Sequence, residues 1–224
     1  PLIDGLNLHV APGEIVAILG PSGVGKSSLL RILAGLQQAT AGSILVDGEP
    51  INGTHPRVAM AFQDPSLLPW LTLEKNVAFG LDFRHQPKIS QAEKNQRVIA
   101  AIREVGLEHA RLRMPFELSG GMAQRTALAR CIARQPEVIL LDEPTSGIST
   151  ADKRGIMDTL MVAAKLADIK TILLVEHDME LVAEYSTRIV ALAEGKLLAD
   201  LPPKEFFANA ELEAQIIGKR VSHA

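Results

Sequence analysis

One cysteine in 224 residues, Cys131, excludes an internal disulfide and fits a reducing compartment. It falls in an apolar helical pattern beside Leu128 and Ile132, the setting of a buried core thiol rather than a reactive one. Long hydrophobic runs are missing too. Stretches such as 138–141 and 172–175 stop at charged residues, far short of the ~18–20 apolar residues that span a bilayer. If this protein works at a membrane, another chain must cross it. There is no excess of basic charge either. With a formal net charge of -3 and a pI near 6.1, no global field draws nucleic acid or anionic lipid, and no nucleic-acid partner is expected. No secretory signal, internal repeat or low-complexity linker is visible. The chain opens on Pro1 directly into strand-like sequence, so a preceding N-terminal piece is expected.

What is present is enough apolar sequence, 47%, for a sizeable core. Leu6, Leu8 and Val10 alternate with polar residues, which predicts a half-buried strand up to the Pro12-Gly13 turn. Residues 14–20 read as a fully buried strand leading into a glycine-rich loop, and 27–36 as a helix with Gly35 near its end. Residues 44–46 and 58–62 are further strand candidates around the Asp47-Gly48 turn. From 64 to 135 the character is mostly helical. Ser90 and Glu93 form a capping-box pattern before Val98, Ile99, Ile102 and Val105, and a second helix runs from 120 to 134, stopped by Pro136. Strand, helix, strand, helix then follow at 138–141, 150–166, 171–175 and 179–185. A hairpin turns at Glu194-Gly195, and one last helix follows Pro202-Pro203. The alternation implies an α/β fold, a largely parallel sheet covered on both faces. The expected division is one domain, 1–224, with an α/β core (1–63 and 136–224) and an inserted helical subdomain (64–135).

Gly20-Pro21-Ser22-Gly23-Val24-Gly25-Lys26-Ser27 fits G-x-x-x-x-G-K-[ST] at every required position, between a predicted strand and a predicted helix. Glycines let successive backbone N–H groups converge on phosphate oxygens, and the helix N-terminus adds its positive dipole end. Lys26 would reach the β- and γ-phosphates, Ser27 would take one Mg2+ position, and Ser28 continues the nucleotide-binding turn. A bare glycine turn capping a helix would not require the lysine.

At 138–143 an apolar strand delivers two acids, Asp142 and Glu143, at the end where open α/β sheets place ligands. Asp142 would hold Mg2+ and Glu143 would orient or deprotonate an attacking water. Further on, Ser119-Gly120-Gly121 opens a helix. Ser119 alone is a good N-cap, but paired glycines directly after it cost helix stability and suggest close approach of an anion.

The ordered set of phosphate loop, Gln63, LSGGMAQR at 118–125, VILLDEP at 138–144 and His177 resembles the nucleotide-binding subunit of ABC (ATP-binding cassette) transporters. The likeness covers essentially the whole chain, and LSGG followed by Gln124 is diagnostic of that family. The resemblance implies a P-loop NTPase fold, a RecA-like core with antiparallel β elements plus an inserted helical subdomain. It implies Mg-dependent ATP hydrolysis and a head-to-tail dimer with two ATP molecules between subunits, where Ser119 and Gly121 contact the γ-phosphate held by the partner's Lys26. It also implies that Gln63 senses Mg2+ and water while linking to the membrane subunit, and that His177 contacts the γ-phosphate and supports Glu143. The implied partners are transmembrane permease subunits and a substrate-binding protein or subunit, and the implied location is the cytoplasmic face of the cell membrane.

Two departures stand out. Gly20 has nineteen predecessors, so the family's adenine-stacking aromatic, about twenty-five residues upstream, falls ahead of Pro1 and is not assigned here. After Glu143 the usual Asp-ended loop reads Ser146-Gly147-Ile148-Ser149, where Ser149 can still cap the next helix with Asp152 three residues on. The stretch 62–72, which includes Trp70, is similar to importers for nitrate, taurine and alkanesulfonates. Trp70 and its leucines either line a groove for a permease helix or pack the helical subdomain. The stretch 176–185 looks closer to energy-coupling-factor importers, so the solute stays open. A non-transport ABC ATPase is the competing expectation, but such proteins usually carry a long coiled-coil insertion or a second cassette. Only 55 residues separate Gln63 from Ser119. A weakly catalytic nucleotide switch is the other alternative, against which Glu143 and His177 argue. The segment after Asp200 is too short for the regulatory domain some importers carry, so none is expected.

Overall fold

The computed structural model describes residues 2–83 and 86–217. Its elements run β1 (Ile15–Leu19), α1 (Lys26–Leu33), β2 (Leu45–Val46), β3 (Glu49–Pro50), β4 (Val58–Ala61), α2 (Leu73–Phe79), α3 (Gln91–Glu104), α4 (Gly120–Ile132), β5 (Val138–Asp142), α5 (Thr150–Leu166), β6 (Thr171–Val175), α6 (Met179–Tyr185), β7 (Arg188–Ala193), β8 (Lys196–Leu201), α7 (Pro203–Ala208) and α8 (Ala210–Ile217). Two single 3-10 turns, Glu108–Ala110 and Pro115–Glu117, lead from α3 to α4.

The main sheet has the order β4-β5-β6-β1-β7-β8, parallel throughout except for β8. Strand β1 explains why such sequences are apolar without alternating. Ala17 and Leu19 enter one hydrophobic cluster while Val16 and Ile18 enter a second on the opposite face. Both faces are covered, so every position must be apolar. The larger cluster continues into the helical middle through Leu73 and Val77 of α2, Val98 and Ile102 of α3, and Leu128 and Ile132 of α4. Cys131 lies in this interior as expected, its thiol donating to the Met60 carbonyl at 3.4 Å, and burial pushes its pKa up.

Local signals set most element ends. Helix α1 closes with Leu36 N–H on Arg31 O and Gly35 N–H on Ile32 O, the paired bonds of a Schellman end. This stops the helix at Leu33 rather than residue 36. Ser90 Oγ accepts from Glu93 N–H and caps α3, but the Glu93 carboxylate turns to Arg97. Only half of the expected box forms. Both short hairpins turn on two residues with positive φ, Asp47-Gly48 and Glu194-Gly195.

Two expectations need correction. Residues 6–10 form no strand. Leu6, Leu8 and Val10 do pack against the second cluster, but they have no ladder neighbour, so alternation here records half-burial of an extended segment. The single C-terminal helix is two helices. Asn209 leaves the helical conformation at φ -100, ψ 93, and its Oδ1 accepts from Leu212 N–H, which starts α8 afresh.

Candidate functional site

Strands β5, β6 and β1 are neighbours and parallel, so their C-terminal ends open on one edge of the sheet. That edge gathers the phosphate loop after β1, the acids after β5 and the histidine after β6. The loop grazes β7 at Gly20, where a Cβ would come within 2.5 Å of Leu192 O. No side chain fits there. Gly25 takes the left-handed conformation (φ 108) that turns the chain into α1.

Lys26 is only 7% exposed. Its Nζ donates to Gly20 O at 2.7 Å and Pro21 O at 3.1 Å, which holds the ammonium inside the curl of the loop. Burial lowers its pKa, and the nearby Glu143 and Asp142 carboxylates oppose that shift. Ser27 Oγ donates to Asp142 Oδ1 at 2.9 Å, and Asp142 is buried. A hydroxyl and a carboxylate brought together beside a phosphate loop are hard oxygen donors, the set Mg2+ prefers. The residues present therefore fit that ion.

Glu143 leaves β5 at φ 49, a conformation costly for a side-chain-bearing residue, with its N–H held on Val175 O at 2.9 Å. The turn brings Oε1 to 2.8 Å from His177 Nε2. Two residues 34 apart in sequence thus meet at the edge where Lys26, Ser27 and Asp142 also converge.

Gln63 stands slightly apart. Its Nε2 donates to Ser146 Oγ at 3.1 Å, and among the described residues no hydrogen bond joins it to Ser27 or Asp142. The Gln63 carbonyl accepts from buried Gln124 of α4 at 2.7 Å, which ties the LSGG helix to the Gln63 loop. The loop beyond Gln63 is clamped as well. Asn76 accepts from Leu68 N–H and donates to the carbonyls of Leu68, Leu71 and Thr72, while Arg130 donates to Pro65 O and Ser66 O. Trp70, at the end of this loop, is 70% exposed, which overturns core packing as its role.

Ser119 caps α4, accepting from Met122 N–H at 3.3 Å. With Gly120 and Gly121 it borders a hollow of about 420 Å³ whose other wall is Gly147, Ile148, Ser149 and the start of α5. No phosphate-loop residue lines that hollow. Within one chain, the 20–27 loop and the LSGG element do not share that hollow. Ser149 caps α5 as expected, accepting from Asp152 N–H at 3.3 Å and donating to Asp152 Oδ2 at 2.7 Å. Thr145, Glu176 and Asn76, all buried and polar, were not singled out in the sequence, because the partners that matter lie across loops rather than within a motif.

The ABC transporter family model matches residues 3–146, from ahead of the phosphate loop to just past the acids. The chain belongs to the ABC transporter family. As a member of a family of ATP-binding cassettes, it binds nucleotide. It is 39% identical over 211 residues to the spermidine/putrescine import ATP-binding protein PotA of Haemophilus influenzae, covering 93% of this chain and 56% of that one. It thus spans little more than half the length of that relative. It is 41% identical over 187 residues to the aliphatic sulfonates import ATP-binding protein SsuB 1 of Xanthomonas axonopodis pv. citri, covering 84% of this chain and 73% of the relative. Among solved structures, cbiO1 from Clostridium perfringens, part of the ABC transporter complex cbiONQ, superposes with a TM-score of 0.83 at 32% identity. That match covers 94% of this ABC chain and 86% of the other. The dimeric cassette MJ0796 bound to ADP and Pi gives 0.77 at 31% identity, covering 90% of each chain. The mixed α/β fold with its parallel sheet is that of the ABC ATPases.

Proposed function

We propose that this chain is the ATP-hydrolysing subunit of a bacterial importer of a small solute, powering separate transmembrane permease subunits fed by a substrate-binding protein or subunit. The observation that carries the proposal is the 2.8 Å contact between Glu143 and His177 at the sheet edge that also holds Lys26 and the Ser27–Asp142 pair. Glu143 takes the proton of the attacking water, and His177 orients that carboxylate and donates to the γ-phosphate. The loop from Gly20 to Ser28 cradles the phosphates, with Pro21, Ser22, Gly23 and Val24 supplying backbone and Gly25 the turn. Lys26 offsets phosphate charge as the loop carbonyls release it. Ser27 and Asp142 would hold Mg2+, with Gln63 the third residue assigned to it. When bound, it would supply positive charge to offset that developing at the phosphates.

Ser119, Gly120 and Gly121 belong to the other half of the site. Their hollow is remote from the chain's own phosphate loop, so they serve the nucleotide of a second subunit in a head-to-tail dimer. A dimeric form of the similar cassette MJ0796 supports this arrangement. The helical part, 64–135, carries LSGG, and the core, 1–63 and 136–224, carries the phosphate loop and the acids. Among the described residues no helix is long and apolar enough to cross a membrane. The likeness to import ATP-binding proteins supports a peripheral place on the cytoplasmic face, held there by the permease.

Glu143→Gln tests the assignment. ATP binding is retained, hydrolysis slows by about 10²–10⁴-fold, and the dimer accumulates in Mg-ATP. Turnover and light scattering read both effects, and wild-type turnover would refute the hydrolytic role. Purification from membranes with identification of the bound permease tests the transport assignment.

A further inference from the structure

Thr145 and Glu176 are interior polar residues, the first with no exposed surface and the second 4% exposed. Glu176 follows directly on β6. Its Oε2 accepts from Thr145 Oγ1 at 2.9 Å, and its Oε1 accepts from the N–H groups of His177 at 3.0 Å and Asp178 at 3.3 Å. Every partner of this carboxyl is a donor, so both oxygens are committed. Thr145 lies two residues past Glu143, and His177 one past Glu176. The carboxyl therefore bridges the two loops that carry the Glu143–His177 pair. The β5–β6 ladder cannot do this, because its last register pair is Asp142 with Val175.

We propose that Thr145 and Glu176 are positioning residues that hold the Glu143 carboxylate against the His177 ring. The inference rests on the assignment of Glu143 and His177 as the hydrolytic pair. Glu143 keeps its positive φ only because its surroundings over-determine it. The Thr145–Glu176 bond closes that surrounding loop from below. The His177 side chain is about half exposed, so its aim is set from the backbone, and Glu176 grips that backbone at two successive N–H groups. Buried polar groups with all partners supplied rigidify what they join, and small misplacements of a reacting pair cost rate rather than binding.

The test is steady-state Mg-ATP hydrolysis together with calorimetric ATP binding, on the full-length chain purified with its membrane partner. Thr145→Val is isosteric and removes the donor. Its kcat falls about 10–100-fold while KM and ATP affinity stay within about twofold. Thr145→Ser keeps the hydroxyl and restores kcat to within about threefold. Glu176→Leu loses at least as much as Thr145→Val. Placed on Glu143→Gln, Thr145→Val adds almost nothing, because both act through one step. Should Thr145→Val not fold, Thr145→Ala carries the same comparison against Thr145→Ser. Wild-type kcat in the valine variant, a serine variant as slow as the valine one, or a proportional loss of ATP affinity overturns the proposal. Full turnover by Glu143→Gln instead overturns the hydrolytic assignment beneath it.

Discussion

Lys26 carries its charge where burial works against it and two carboxylates work for it. The balance suits a group that must stay cationic to meet phosphate yet be released from the loop carbonyls when phosphate arrives. Lys26→Ala removes a charge-assisted contact worth about 1.5–3 kcal/mol, so ATP affinity falls at least about tenfold. Calorimetric titration with ATP checks this, and unchanged affinity would sink the phosphate assignment. Lys26 was legible in the sequence because the motif that holds it, with both its hydrogen-bond acceptors, lies within eight consecutive residues. Asp142 and Glu143 were legible because they close an apolar strand, and His177 through its place in the ordered set of motifs. Thr145 and Glu176 were not, since their meaning lies in a contact 31 residues apart that only the packing of β5 against β6 creates. Gln63 was readable as part of an ordered set, yet its amide bond to Ser146 was not.

Elements that begin at a side-chain cap were legible to within a residue or two, whereas α1, expected to reach residue 36, ends at Leu33. Helices α4, α5 and α6 begin after Ser119, Ser149 and Asp178, whose side chains accept from the first turn. Residues 6–10 and the α7–α8 break were not, because ladder neighbours and a mid-helix cap are tertiary facts. Helix α3 ends on another such fact. Glu104, its last residue, has a buried Oε2 with no hydrogen-bond partner among the described residues, and burial raises its pKa. A carboxylate there also opposes the helix dipole. A folded-state pKa above the unfolded value means no penalty at low pH, where both states are protonated. The penalty grows as pH rises past the unfolded value of about 4.3. Glu104→Gln therefore raises Tm by about 1–3 °C at pH 8 and by less at pH 5. Thermal melts across that range check it, and an equal shift at both pH values would refute the cause.

At the scale of the molecule, the chain leaves two things exposed that one copy cannot use. One is the LSGG hollow, which a second copy would complete in the proposed head-to-tail dimer. The other is apolar surface on the helical half, with Trp70 at 70%, Leu112 at 80% and Phe116 at 82% exposed. Trp70 is the informative one. The loop that presents it is clamped by buried Asn76 and by Arg130, so the ring is held outward by ordered backbone. A rigidly presented tryptophan with no core role is the usual anchor of a protein interface. Trp70→Ala should then change stability by no more than about 0.5 kcal/mol, as an exposed substitution does, and leave ATP affinity unaltered. Removing an interface anchor costs about 2 kcal/mol or more, which weakens permease binding by roughly 25-fold. Co-purification yield from membranes and a thermal melt on the same preparation separate the two effects. A melt lowered by several degrees with full recovery of the permease would return Trp70 to a structural role and move the docking face elsewhere.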